Sequence, residues 1–334
     1  MAILITGGTG FIGSHTAVEL LNEGYDVVSV DNLSNSKKDV VDRISEITGK
    51  PVIFYHVDLL DRQSLRKVFQ QHKFTSVIHF AASKVLSESI SEPINYYRNN
   101  VEGTINLLEL MQEYGVQQLV FSSTAAVYAE SAQSPLTEDS PCLAETPYGR
   151  TKLFCEEIIR DVHNSGKGLC AVILRYFNPI GAHASGLIGE EPNLNPDNLM
   201  PYVAKAASGE IECVAVYGND YPTKDGTGVR DFIHVVDLAK GHLQALEKLQ
   251  QSPALYTYNL GCGRGHSVMD VIQAYEQACA KKIPYKITAR RAGDLAEVFA
   301  DPSKAEREMG WKAQLTIADM CRDSWTWKQR CQRA

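Results

Sequence analysis

Tyr148 and Lys152 lie four residues apart in Thr146-Pro147-Tyr148-Gly149-Arg150-Thr151-Lys152, a run that reads as the start of a helix and sets both side chains on one face. A phenol with its ordinary pKa of about 10 is a poor base at neutral pH and needs cationic help. An ammonium one turn away, joined by a second positive charge in a partly desolvated cleft, could bring it near 7 for roughly 4 kcal/mol. A tyrosine so activated is a general base. One element earlier, the hydroxyl cluster Ser122-Ser123-Thr124 stands at the end of the predicted strand Gln118-Leu119-Val120-Phe121.

The elements that must position these groups begin at the N-terminus. The apolar run Ile3-Leu4-Ile5 leads into Thr6-Gly7-Gly8-Thr9-Gly10-Phe11-Ile12-Gly13-Ser14, which opens a helical pattern over residues 11 to 23. A helix N-terminus offers unpaired N–H groups and the positive end of a dipole, so a pyrophosphate suits it, and glycines let that backbone come close. Gly8, Gly10 and Gly13 fit the G-x-G-x-x-G spacing, and Gly7, Gly10 and Gly13 the related G-x-x-G-x-x-G. A second β run ends at Asp31, 18 residues past Gly13, where an acid suits the ribose hydroxyls of an adenosine and repels a 2′-phosphate. NAD is therefore the expected cofactor, in preference to NADP.

Strand and helix patterns then alternate: strands near 52 to 57 and 76 to 80, a helix over 61 to 72, and one long amphipathic helix over 94 to 114. Alternation predicts an α/β fold, a doubly wound parallel (Rossmann) sheet over residues 1 to 175, with a second, smaller α/β lobe drawn mainly from 176 to 334. Residues near 235 to 262 are expected to return to the first domain. In such sheets ligands lie beyond the carboxyl ends of the strands, so Asp58 and Leu59, and Phe80, Ala81 and Ala82, are placed to touch the cofactor.

The 334 residues are 44% hydrophobic with a net charge of −7, so nothing favours nucleic acid or an anionic membrane, and an anionic ligand must be held by local arginines. No apolar run approaches about 18 residues. Eight scattered cysteines lack metal-ligand spacing, so no metal is expected, and a reducing, cytoplasmic setting is.

From the N-terminus to about residue 325 the chain resembles the extended short-chain dehydrogenases, and within them the branch that epimerises nucleotide sugars. The resemblance rests on the glycine loop, Asp31-Asn32-Leu33-Ser34-Asn35-Ser36, Tyr148-Gly149-Arg150-Thr151-Lys152, Leu174-Arg175-Tyr176-Phe177-Asn178-Pro179, Asn198-Leu199-Met200-Pro201, Gly226-Thr227-Gly228-Val229-Arg230-Asp231-Phe232-Ile233-His234 and Arg291-Ala292-Gly293-Asp294. It implies NAD-dependent inversion at C4 of a UDP-hexose through a transient 4-keto sugar, in a homodimer paired through the helices over 94 to 114 and 148 to 165. It further implies Tyr148 as catalytic base, Lys152 on the nicotinamide ribose and depressing the tyrosine pKa, and Thr124 bridging the sugar O4 and Tyr148. Cofactor contacts implied besides Gly7, Gly10 and Gly13 are Phe11, Ile12, Asp31, Asn32, Leu33, Ser34, Asn35, Ser36, Asp58, Leu59, Phe80, Ala81, Ala82, Ser83, Lys84, Asn99, Tyr148, Lys152 and Phe177. Substrate contacts implied are Lys84, Thr124, Tyr148, Asn178, Asn198, Leu199, Arg230, Arg291 and Asp294, with Ala215, Val216 and Tyr217 near the uracil.

Elementary chemistry supports the diphosphate contacts, and one departure from the family pattern bears on the sugar. Arg230 and Arg291 are guanidinium forks of the kind a diphosphate needs on a negatively charged protein. Val298 stands where the family carries a tyrosine in enzymes confined to unacetylated sugars, so UDP-N-acetylhexosamines are expected as possible additional substrates. Ala82-Ser83-Lys84-Val85 and Ala129-Glu130 also depart from the family pattern, with bulkier groups in the first loop. The rival readings are a nucleotide-sugar 4,6-dehydratase, which needs an acid–base pair beside the hydroxyl residue where Ala125 and Ala126 stand, a UDP-glucuronate decarboxylase, and a non-catalytic NAD sensor.

Overall fold

The computed structural model describes residues 2–191, 198–291 and 293–332. Ala292 of the Arg291–Asp294 motif lies outside the described residues. The strands are β1 (Ala2–Thr6), β2 (Asp26–Asp31), β3 (Ile53–His56), β4 (Phe74–His79), β5 (Gln118–Thr124), β6 (Cys170–Tyr176), β7 (Asn178–Ile180), β8 (Val214–Tyr217), β9 (Val229–Arg230), β10 (Phe232–His234), β11 (Leu255–Leu260), β12 (His266–Ser267), β13 (Tyr285–Thr288) and β14 (Glu297–Val298). The helices are α1 (Phe11–Asn22), α2 (Val40–Thr48), α3 (Arg62–Gln71), α4 (Leu86–Ser91), α5 (Pro93–Tyr97), α6 (Gly103–Glu113), α7 (Pro147–Asn164), α8 (Leu199–Ser208), α9 (Val235–Gln251), α10 (Val268–Cys279), α11 (Ser303–Met309) and α12 (Ile317–Cys331).

Seven strands form one parallel sheet in the order β11-β6-β5-β4-β1-β2-β3. Successive residues of β1 feed opposite faces, as the two-residue period of a strand demands. Ile3 and Ile5 join a core with α1 and α9, while Leu4 joins Val77, Leu119, Leu107 and Ile159 on the other side. Burial on both faces explains why β1 reads as a continuous apolar run rather than an alternating one. Beyond β1 the chain reverses its direction of travel across the sheet, from β2 and β3 on one side to β4 on the other. That reversal opens a crevice at the carboxyl ends of β1 and β4.

A separate core gathers α8, α10 and α12 with Val214 and Val216 of β8. The remaining strands form two short pairs, β10 with β7 and β13 with β8, and one three-stranded sheet, β12-β9-β14. β11, with its register from Leu255 against Ala171 to Leu260 against Tyr176, belongs to the large sheet.

The expected single helix over 94 to 114 is instead interrupted. A π-turn over Arg98–Glu102 separates α5 from α6. Tertiary bonds at the turn account for it: Asn100 Nδ2 donates to the Ser83 carbonyl and to Thr151 Oγ1, both at 3.0 Å. β5 runs further than expected, carrying Ser122, Ser123 and Thr124 as ladder residues opposite Leu174, Arg175 and Tyr176.

Candidate active site

The dinucleotide cradle is built from backbone. Gly7 has φ 72°, and a Cβ there would come within 2.7 Å of the Ala81 nitrogen. At Gly13 a Cβ would sit 2.2 Å from the Gly7 carbonyl oxygen. Glycine at both positions lets β1, β4 and α1 close on one another. α1 begins after Gly10 with no side-chain cap, so its first N–H groups face the cleft. Asp31, almost fully buried at the end of β2, accepts from Thr9 N at 3.2 Å, Leu33 N at 2.9 Å and Ser36 Oγ at 3.0 Å. Asn32 Nδ2 donates to Asp58 Oδ2 at 2.9 Å on the neighbouring strand end. An uncapped helix end beside an acid held at a strand end fits a dinucleotide: anion at one place, ribose diol at the other.

The cleft that starts there has a volume of ≈ 640 Å³ and continues past β5 to the second lobe. Gly7, Gly10, Phe11, Ile12, Gly13, Asp31, Asn32, Ser34, Asn35, Ser36, Asp58, Leu59, Phe80, Ala81, Ala82, Ser83, Lys84, Asn99 and Phe177 line it, together with Thr124, Tyr148, Lys152, Asn178, Asn198, Arg230 and Val298. Leu33, Leu199, Ala215, Val216, Tyr217, Arg291 and Asp294 do not. Val216 points into the second core, and Leu33 sits at φ 58° on the turn after β2. Arg291 lies 3.9 Å over the Tyr217 ring, and Asp294 Oδ1 accepts from Arg230 Nη2 at 3.3 Å. Tyr217, Arg291 and Asp294 form a rim beside the cleft rather than its wall, with Arg230 reaching Asp294 from the wall.

Tyr148 reaches Thr124 because α7 is pressed against the turn after β5. Thr146 caps α7 by accepting from Gly149 N at 3.2 Å, and Pro147 occupies the first turn. A Cβ on Gly149 would meet the Ala126 carbonyl oxygen at 2.5 Å, so only glycine allows this approach. Burial pushes the Tyr148 phenol up to about 12, opposed by its hydrogen bond with Thr124. Lys152 is buried, donates to the Ser122 carbonyl at 2.8 Å and lies 4.9 Å from the Phe121 ring centroid. Burial pulls its ammonium down to about 8.

The sequence expectation calls on two cations, Lys152 and the cofactor's positive ring. In the chain without its cofactor, burial raises the phenol. The lysine donates to the Ser122 carbonyl, which fixes its ammonium at the end of β5.

Sequence reasoning missed Glu190 and Glu191, which line the cleft. Glu190 Oε1 accepts from Lys84 Nζ at 3.2 Å and from Asn198 Nδ2 at 3.3 Å, and Glu191 pairs with Lys37 at 2.5 Å. Neighbouring Gly-Glu-Glu-Pro has no periodicity or spacing to mark it; only the three-dimensional convergence of two lysines does.

A parallel sheet reversing at a glycine cradle, with a tyrosine and lysine one turn apart beside a threonine, defines an extended short-chain dehydrogenase/reductase. The family model described as "GDP-mannose 4,6 dehydratase" matches residues 4–324. A UDP-glucose 4-epimerase from Bacillus subtilis (strain 168) is 55% identical over 98% of this chain and 97% of its own, and one from Homo sapiens is 51% identical over 98% and 96%. Among solved structures, the UDP-glucose 4-epimerase from Stenotrophomonas maltophila with bound NAD and formylated UDP-arabinopyranose aligns with a TM-score of 0.97 and 49% identity, covering 100% of this chain and 99% of that one. That from Bifidobacterium longum in complex with NAD+ and UDP aligns at 0.95 with 51% identity, covering 99% and 98%. The chain belongs to the UDP-glucose 4-epimerase family.

Proposed function

We propose that the chain binds NAD and a UDP-hexose in this cleft and inverts the sugar at C4. The observation that carries the reading is the convergence of Tyr148, Thr124 and Lys152 on the cleft between the glycine cradle and Arg230. When bound, NAD supplies a reversible acceptor for the hydrogen at C4. Tyr148 Oη takes the proton from the sugar O4, with Thr124 Oγ1 holding that oxygen and the phenol in line. Lys152 bonds the nicotinamide ribose while keeping its anchor on the Ser122 carbonyl.

Arg230, Asn178 and Asn198 hold the nucleotide and diphosphate, joined at the rim by Arg291 and Asp294 after their present bonds are exchanged. The keto sugar, tethered only through its phosphate link, turns its other face, and Tyr148 Oη returns the proton. A dehydratase is not favoured, because the two cleft residues after Thr124 are Ala125 and Ala126, neither able to move a proton. Purified protein supplied with UDP-galactose is expected to yield UDP-glucose; no interconversion under cofactor-saturated conditions overturns the reading.

Val298 lies in β14 directly beside Arg230 and faces the cleft, leaving room that a ring would fill. We assign UDP-N-acetylhexosamines as further substrates. A similar structure, 36% identical, is the UDP-Glc/GlcNAc 4-epimerase from Campylobacter jejuni, at a TM-score of 0.86. Val298→Tyr is expected to abolish turnover of UDP-N-acetylglucosamine while sparing UDP-glucose; wild type without N-acetylated product contradicts the assignment. Exposed Ile94, Ile105 and Phe154, on α5, α6 and α7, supply the face for a homodimer, which light scattering tests, a monomer refuting it. No helix among the described residues is long and apolar enough to cross a membrane, and all eight cysteines are unpaired, which suits the cytoplasm.

A further inference from the structure

Glu156 is completely buried on α7, one turn beyond Lys152, and plays no part in the chemistry described above. Its carboxylate accepts four donors. Ser123 Oγ at 2.5 Å and Arg175 Nε at 3.0 Å reach Oε1; Arg175 Nη2 at 2.7 Å and Arg160 Nη2 at 3.1 Å reach Oε2. Arg175, itself buried on β6, also donates to the Glu138 carbonyl at 3.2 Å and lies 5.0 Å over the Tyr128 ring.

Burying such a pair costs desolvation that its attraction roughly cancels, so stability is a weak reason for it. Its placement gives a better one. The three last residues of β5 are each tied down: Ser122 to Lys152 through its carbonyl and to Tyr176 through its hydroxyl, Ser123 to Glu156, and Thr124 to Tyr148. The Glu156 tie is the one that joins the middle of this tripeptide to both α7 and β6.

We propose that the Glu156–Arg175 pair is the positioning element of the reaction, locking the carboxyl end of β5 against α7 so that Thr124, Tyr148 and Lys152 keep one geometry. The proposal rests on the reading of Tyr148 as the base. Glu156 has a second effect through charge. Lys152 is faced by Cys155 and Glu156 from α7, by Phe121 and Ser122 from β5 and by His79 from β4. His79 is kept neutral by burial; Cys155 and then Glu156 favour the ammonium, and since burial pushes the Cys155 thiol up, the standing negative charge is that of Glu156.

Two variants separate the two effects. Ser123→Ala cuts the tie to the strand and leaves the ion pair intact, so folding is preserved. It is expected to lower kcat about ten-fold, since small misplacements of reacting groups are costly, with KM for UDP-galactose and retained NAD close to wild type and an unmoved alkaline limb. Glu156→Gln is expected to lower kcat and in addition to move the alkaline limb of the kcat–pH profile to lower pH. A Ser123→Ala enzyme with a kcat fall under about three-fold, or with a fall matched by a rise in KM, overturns the proposal, as does an unmoved limb in folded Glu156→Gln. Tyr148→Phe is assayed alongside. If it stays active, the reading of the base has failed; if it is dead while Ser123→Ala is unimpaired, only the positioning role has failed.

Discussion

On the dinucleotide side of the cleft the binding groups are backbone N–H groups at an uncapped helix end and an acid fixed by three donors, whereas on the nucleotide-sugar side they are side chains engaged with one another. Arg230 holds Asp294 and the Leu295 carbonyl, Arg291 stacks on Tyr217, and Lys84 and Asn198 share Glu190. On the proposed function, the first side offers backbone donors already in place, while the second exchanges internal bonds for bonds to substrate. A cofactor that is never consumed suits a rigid seat, and a substrate that must leave after each turnover suits one whose polar groups have somewhere to return.

Tyr148 stands where the two sides meet, and Tyr148→Phe is expected to reduce kcat by about 10²–10⁴-fold with bound cofactor unchanged, since both walls survive. On the rigid side, Gly13→Ala forces a methyl into the Gly7 carbonyl. Overpacking of about 1–3 kcal/mol predicts a comparable loss of retained NAD, read as cofactor per protein after gel filtration, with the sugar side intact. Arg230→Ala, on the exchangeable side, removes charge-assisted bonds worth about 1.5–3 kcal/mol each and is expected to raise KM for UDP-galactose by roughly ten-fold or more with little change in cofactor content. If Gly13→Ala raised KM alone, or Arg230→Ala emptied the cofactor, the division of labour would be wrong.

The smallest effect concerns stability. Lys152 is pulled down to about 8 by burial, so the folded protein carries a penalty for its charge below that pH, and stability rises between there and the ordinary lysine value as the folded state alone sheds the proton. Cofactor-free Lys152→Met is therefore expected to melt higher than wild type at neutral pH, the gap narrowing as pH climbs above 8. A gap independent of pH contradicts this.

The same contrast governs what could be read from the chain. The glycine loop and Asp31 are legible because backbone geometry demands glycine at fixed spacing and an acid at a strand end, both local properties. Tyr148 and Lys152 are legible from one helical turn. Lys84 meets Glu190 across 106 residues, with Asn198 joining from eight residues beyond Glu190, and no local pattern announces such a meeting. The π-turn at Arg98–Glu102 was hidden for the same reason: the sequence there is amphipathic throughout, and only bonds from Asn100 to Ser83 and Thr151 decide against a continuous helix. Spacing places Lys152 near Tyr148 but does not reveal that its ammonium also donates to the Ser122 carbonyl, a contact made across the fold.

The central claim is that a buried phenol, raised to about 12 by the chain itself, becomes a base when the positive cofactor completes the site. Phenolate absorbance titrated in cofactor-free and NAD-loaded protein, with Tyr148→Phe subtracted from each, measures this directly. The account predicts a Tyr148 titration well above the ordinary tyrosine value without cofactor and well below it with NAD bound; one midpoint shared by both forms would contradict it.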